Sequence, residues 1–115
     1  MPVILELPWP PSSNTYWRRS GRIYFISAKG VAYRRLAISQ CRDFKNAFSD
    51  TDRLRVDVFA FPPDRRRRDL DNIFKCLLDS LQHAGIYHDD NQIDYLTVRR
   101  MPDILGKVTV NIYEI

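Results

Sequence analysis

The stretch RLRVDVFAFPPDRRRRDLDNIFKCLLDSLQHAG, residues 53–85, decides the fold, because it holds two different hydrophobic periods on either side of a charged loop. In its first part Leu54, Val56, Val58 and Ala60 alternate with Arg55, Asp57 and Phe59. That period of two predicts a strand over Arg53 to Phe61, ended by Pro62 and Pro63 and expected to lie centrally in a sheet. In its last part Leu70, Ile73, Phe74, Leu77, Leu78, Leu81 and Ala84 recur every three or four residues, which predicts a helix from about Leu70 to Ala84 with Gly85 as its C-cap. Asp71, Lys75, Asp79 and Gln82 fall on the opposite, solvated side.

The flanking segments extend the same pattern. Val3 to Leu7 alternates like a strand and is stopped by Pro8, Pro10 and Pro11, after which Ser12, Ser13 and Asn14 read as a polar loop. Arg22 to Ile26 reads as a short strand. Ser27 can cap a helix carrying Tyr33, Leu36, Ala37, Cys41 and Phe44 on one face and basic residues on the other. After the second helix comes a loop with Asp89, Asp90 and Asn91, then strands at about Ile93 to Arg100 and Lys107 to Tyr113 around a Met101 to Gly106 turn. The expectation is an α+β, or mixed α/β, fold: one small domain over residues 1–115, with two helices packed on a mixed β-sheet of four to five strands. A chain of 115 residues can bury one core and is too short for two.

Composition narrows the function. Hydrophobic residues make up 44%, so the charged residues belong to the surface of a folded protein and not to a disordered one. Fourteen of the eighteen basic residues are arginine, whose rigid fork matches phosphate oxygens at two points. No segment approaches the roughly 20 apolar residues of a membrane span, and Met1 to Pro11 lacks the pattern of a signal peptide, so the expected location is the cytoplasm. Cys41 and Cys76 have neither metal-ligand nor redox spacing and are expected as free, buried thiols.

The chemistry concentrates in Arg65-Arg66-Arg67-Arg68-Asp69-Leu70-Asp71-Asn72-Ile73-Phe74-Lys75. Arginines can hold nucleic-acid phosphates while carboxylates hold a hard divalent cation, and neither residue type can do the other's work. If the chain enters the helix extended, Asp69 and Asp71 project to one side and can share an ion. Plainer roles exist for each residue: Asp69 as a helix cap, Asp71 as an N-terminal carboxylate favoured by the helix dipole, and Lys75 as its i,i+4 ion-pair partner. The arginine run also reads as a solvated surface. Asp89 and Asp90 read as turn residues, and His83 and His88 are isolated and are left out of the site.

Pro62-Pro63-Asp64-Arg65-Arg66-Arg67-Arg68-Asp69-Leu70-Asp71-Asn72, with Lys75 one turn on and Gly85-Ile86-Tyr87-His88-Asp89-Asp90 after the helix, resembles the RusA family of Holliday-junction resolvases. A second block, Leu7-Pro8-Trp9-Pro10-Pro11-Ser12-Ser13-Asn14 followed by Tyr16, Ser27-Ala28-Lys29-Gly30, Tyr33 and Arg34, is similar to the family's amino-terminal signature. The resemblance implies a homodimeric endodeoxyribonuclease that uses Mg²⁺, or Mn²⁺ in its place, and no organic cofactor, to cut four-way DNA junctions symmetrically. It implies that Asp69, Asp71 and Asp90 are the metal-binding catalytic aspartates and Lys75 the essential lysine. Arg65, Arg66, Arg67 and Arg68 are expected to anchor phosphates, and Trp17 beside Arg18 and Arg19 to contact DNA. Two alternatives stay open: a non-catalytic junction-binding module, and a nuclease for flaps or other branched substrates.

Overall fold

The computed structural model describes residues 2–115. Its strands are β1 (Val3–Pro8), β2 (Trp17–Ser20), β3 (Ile23–Ile26), β4 (Leu54–Phe61), β5 (Ile93–Arg100) and β6 (Lys107–Glu114). Its helices are α1 (Ser13–Tyr16), α2 (Ala28–Gln40) and α3 (Phe74–His83), with short 3-10 turns at Arg42–Phe44, Leu70–Ile73 and Asp90–Gln92. Four strands form one mixed sheet in the order β1-β6-β4-β5, and β2 with β3 forms a separate hairpin. β4 sits inside the sheet, antiparallel to β6 and parallel to β5. A parallel neighbour needs a crossover, and α3 supplies it between β4 and β5.

The alternation in the sequence maps onto the two faces of this sheet. Val3, Leu5 and Leu7 of β1, Leu54, Val56, Val58 and Ala60 of β4, and Val108, Val110 and Ile112 of β6 are all buried. They form one core with Tyr33 and Ala37 of α2, with Cys41 just beyond it, and with Cys76, Leu77 and Leu81 of α3. Burying each of the larger aliphatic side chains contributes about 1.5–3 kcal/mol. The core holds the strand ahead of the arginine loop and the helix after it in fixed relation, so the loop between them is positioned from both ends.

Several local expectations change. Ser12 to Asn14 is not a loop throughout: the amides of Thr15 and Tyr16 donate to the Ser12 carbonyl and close a single helical turn over Ser13–Tyr16. Tertiary contacts stabilise this turn, since Tyr16 is fully buried and the Ser13 hydroxyl donates to the Asn72 carbonyl at 3.0 Å. Trp17–Ser20 forms a strand that its exposed sequence did not announce. Ser27 does cap α2, accepting from the Gly30 amide, but the α-helix stops at Gln40 and passes through Cys41 into a 3-10 turn. The second expected helix begins as a 3-10 turn over Leu70–Ile73 and becomes α-helical only from Phe74. The α-helix ends at His83 with Ala84 as its C-cap, one residue ahead of the expectation, and Gly85 follows in the left-handed region at φ +79°. Cys41 and Cys76 are free and buried.

Candidate active site

Three of the four acidic and basic residues singled out in the sequence converge. Asp71 from the 3-10 turn, Lys75 from the first turn of α3 and Asp90 from the loop beyond α3 line one shallow groove, together with Ser13, Phe74 and Leu78. Asp71, Lys75 and Asp90 are all solvent-exposed. Asp69 opens on the neighbouring cleft, which it lines with Arg66, Arg67, Arg68, Lys29, Trp9 and Asn72. The divergence of Asp69 from Asp71 has a backbone cause: Asp69 is extended, at φ −82° and ψ 133°, whereas the 3-10 turn begins with the next residue. Residues two apart share a side only where both lie in extended chain.

Asp90 reaches the groove because the loop folds back along α3. The Tyr87 hydroxyl donates to the Leu78 carbonyl at 2.7 Å, and the Asp90 amide donates to Gln82 Oε1 at 3.0 Å. Asp89 and Gln92 then close a capping box around the turn, with the His88 amide also donating to Gln92 Oε1 at 2.8 Å. Tyr87, Gln82 and Gln92 are therefore site-building residues that sequence reasoning missed. Tyr87 stood in the block quoted for the family resemblance without a role of its own, while Gln82 and Gln92 gave no signal beyond their polar character. Ser13 was missed as well; its bond to Asn72 ties α1 to the 3-10 turn that carries Asp71.

The groove carries two carboxylates, Asp71 and Asp90, and one cation, Lys75. Desolvation, a hydrogen bond with Asp89 and the Asp89 charge push the Asp90 carboxyl above its ordinary pKa, while Lys75 pulls the other way. Crowded carboxylates of this kind are what a hard divalent cation relieves. Among the described residues no three His, Cys, Asp or Glu side chains gather into one preformed cluster. Asp71 and Asp90 still fit Mg²⁺, which binds through one or two carboxylates and completes its shell with waters and substrate phosphates. Asp69 stands outside that pair in this arrangement.

The arginine loop divides into two kinds of residue. Arg68 Nη2 donates to Asp64 Oδ2 at 3.0 Å, and Arg66 reaches the same carboxylate at 3.2 Å. The Arg68 hydrogen bond, with the Arg66 amide and guanidinium, holds the Asp64 carboxyl well below the usual carboxylate range. Arg68 also lies over the Trp9 ring, 5.9 Å from its centroid, and its carbonyl accepts from Arg100 at the edge of the sheet. Among the described residues Arg65 and Arg67 make no ion pair, and both are exposed. Trp17 lies beside Lys75, its ring centroid 5.7 Å from Lys75 Nζ. Arg18 and Arg19 follow it into the exposed hairpin.

Comparison with known proteins identifies the family. Residues 8–113 match the family model described as Endodeoxyribonuclease RusA. The crossover junction endodeoxyribonuclease rusA of Enterobacteria phage HK97 is 52% identical over 100 residues, covering 87% of this chain and 83% of that protein. The crossover junction endodeoxyribonuclease RusA of Escherichia coli strain K12 is 40% identical over 105 residues, covering 89% and 85%, and that of Shigella sonnei strain Ss046 is 41% identical over the same length. The arginine loop, the carboxylate groove behind it and, apart from Leu7, the two signature blocks lie within the matched span, and the chain belongs to the RusA family of endodeoxyribonucleases.

Proposed function

We propose that this chain resolves four-way DNA junctions by paired, symmetric, metal-dependent hydrolysis of phosphodiester bonds in DNA recombination and repair, acting in the cytoplasm as a homodimer. The observation that carries the reading is the convergence of Asp71, Lys75 and Asp90 on one groove beside the arginine loop. When bound, Mg²⁺, or Mn²⁺ in its place, supplies Lewis-acid polarisation of the scissile phosphate and an ionised water. Asp71 and Asp90 would hold the ion, with Asp69 contributing from the adjoining cleft. Lys75 presents a fixed cation to the charge that develops on the phosphorus oxygens, where preorganised charge counts most. Its position one turn along α3 from the Asp71 turn keeps that cation at the groove instead of in bulk solvent.

Arg65 and Arg67 bind flanking phosphates, while Arg68 and Asp64 keep their loop in shape. A four-way junction has near two-fold symmetry, and a symmetric pair of sites can nick opposing strands in one encounter. The test is cleavage of a labelled mobile junction and of its linear-duplex arm, with and without Mg²⁺, by wild type and Asp71→Asn. Paired nicks on the junction alone, dependent on metal, are expected from wild type. Asp71→Asn should bind the junction at least as well, because a negative charge near phosphate is gone, and should cut it about a thousandfold more slowly. Binding without cutting by both proteins would overturn the reading.

A further inference from the structure

The β2–β3 hairpin pairs only with itself, and every residue from Trp17 to Phe25 is exposed. Its register sorts the side chains onto two faces. Trp17 stands opposite Ile26 and Arg19 opposite Tyr24 on one face; Arg18 stands opposite Phe25 and Ser20 opposite Ile23 on the other. The first face starts at the body of the protein, where Ile26 packs on the core and the Trp17 ring meets Tyr16 edge-on at 5.5 Å. From there it runs outward. Lys75 lies against Trp17, and beyond Trp17 the Arg19 guanidinium sits 5.5 Å from the centroid of the Tyr24 ring, which is 65% exposed. Cations and aromatic rings thus alternate along a strip that continues the catalytic groove.

Charge selects what this strip meets. From Leu7 to Arg42 the chain has no Asp or Glu and carries seven Arg and Lys residues, so the hairpin stands in a positive field that favours a polyanion. An exposed ring beside a guanidinium offers a stacking surface for a base together with a donor for its phosphate. In continuous duplex the bases are stacked on one another and offer no free face. Where DNA arms meet, they can.

We propose that Trp17, Arg19 and Tyr24 form a binding strip for unpaired nucleotides adjacent to the scissile phosphate, with Tyr24 stacking on a base and Arg19 holding its phosphate. The strip selects branched DNA over continuous duplex, and in this it rests on the endonuclease reading of the groove. Its orientation is set from the body: the Ser27 amide donates to the Tyr16 carbonyl at 2.8 Å and the Tyr16 hydroxyl bonds Asp79 on α3, so the hairpin's root is fixed to the helix that carries Lys75.

The experiment is binding in EDTA, by fluorescence anisotropy, of wild type, Tyr24→Ala, Tyr24→Phe and Phe25→Ala to a four-way junction and to a linear duplex of the same arm sequence. In parallel, 2-aminopurine at the branch point reports stacking. Tyr24→Ala should weaken junction binding about tenfold and leave duplex binding within about twofold. Tyr24→Phe and Phe25→Ala, the latter on the opposite face, should bind like wild type, and aminopurine quenching should disappear with Tyr24→Ala alone. Equal losses on both DNAs, no loss on either, or an aminopurine signal blind to Tyr24 would overturn the proposal. So would a fall in sedimenting mass with Tyr24→Ala, which would assign the face to a contact between two copies of the chain. Since no cleavage is involved, failure here is separate from failure of the endonuclease reading, which rests on wild-type nicking with Mg²⁺.

Discussion

The backbone amide of Asp90 donates to Gln82 Oε1 at 3.0 Å, so a side chain of α3 holds the loop that brings the last aspartate to the groove. Gln82 is outside the groove itself. Replacing it by methionine, similar in shape and unable to accept this bond, leaves Asp90 present but less well placed. A misplacement of about 1 Å at a reacting centre can cost on the order of a hundredfold. Gln82→Met should therefore lower the junction-cleavage rate by about 10- to 100-fold with junction affinity unchanged. Gln82→Glu keeps an acceptor and should recover part of the rate. A cleavage rate equal to wild type for Gln82→Met would show that the loop is held by Tyr87 and Gln92 without it.

A second clamp joins three elements. The Tyr16 hydroxyl and the Arg34 guanidinium both donate to Asp79 Oδ2, linking α1, α2 and α3 where each side chain is about one-fifth exposed or less. Burial alone would raise the Asp79 pKa, but the Tyr16 and Arg34 hydrogen bonds and the Arg34 charge outweigh it and hold the carboxyl below its ordinary value. A carboxyl depressed in the folded state adds stability above its unfolded pKa, near 4, and loses it as pH falls through the folded value. Arg34→Met should cost about 1–3 kcal/mol at neutral pH and move the acid-unfolding midpoint upward. Circular dichroism along an acid titration measures both. An unchanged midpoint would mean that other carboxylates govern acid stability.

The two thiols supply a control on the packing of the core. Burial pushes Cys41 up to about 11 and Cys76 up to about 12. At pH 8 both remain protonated, and the thiolate is the reactive form. A disulfide reagent such as DTNB should label neither cysteine in the folded protein at pH 8 and both after denaturation. Rapid labelling of the native protein would place either thiol at the surface.

How much of this was legible beforehand follows the length scale of each interaction. The β4 strand and the apolar stripe of α3 could be read directly, because alternation and 3-4 spacing are local patterns imposed by one continuous buried face. The parallel pairing of β4 with β5, and the placement of β6 between β1 and β4, depend on contacts between distant segments that no local period encodes. The same limit applies in the site. Asp71 and Lys75 were readable as neighbours because one turn of helix separates them. Asp90 joined them only through the family resemblance and not through any local pattern, since its position comes from Tyr87 bonding Leu78 and from Gln82 bonding the loop. The separation of Asp69 from Asp71 turned on a 3-10 turn starting at Leu70, a conformation that leaves the apolar spacing almost unchanged.

The arginine loop gives the last prediction, because the structure separates residues that look identical in sequence. Arg68 is committed to Asp64 and to the Trp9 ring, with its side chain 23% exposed, whereas Arg65 and Arg67 are exposed and unpaired among the described residues. Each arginine that neutralises a phosphate releases counterion, and each one removed lowers the slope of log affinity against log salt by about one. The double substitution Arg65→Ala with Arg67→Ala should therefore reduce that slope by about two, weaken junction and duplex alike, and leave thermal stability within about 0.5 kcal/mol. Arg68→Ala should do the opposite: it frees the Asp64 carboxylate, loosens the loop, and costs about 1–2 kcal/mol of stability, with a smaller change in slope. Salt-dependent anisotropy and thermal melts on both variants distinguish the two roles. An unchanged slope in the double variant would remove Arg65 and Arg67 from the phosphate path and shift that role to Lys29, Arg66 and the hairpin arginines.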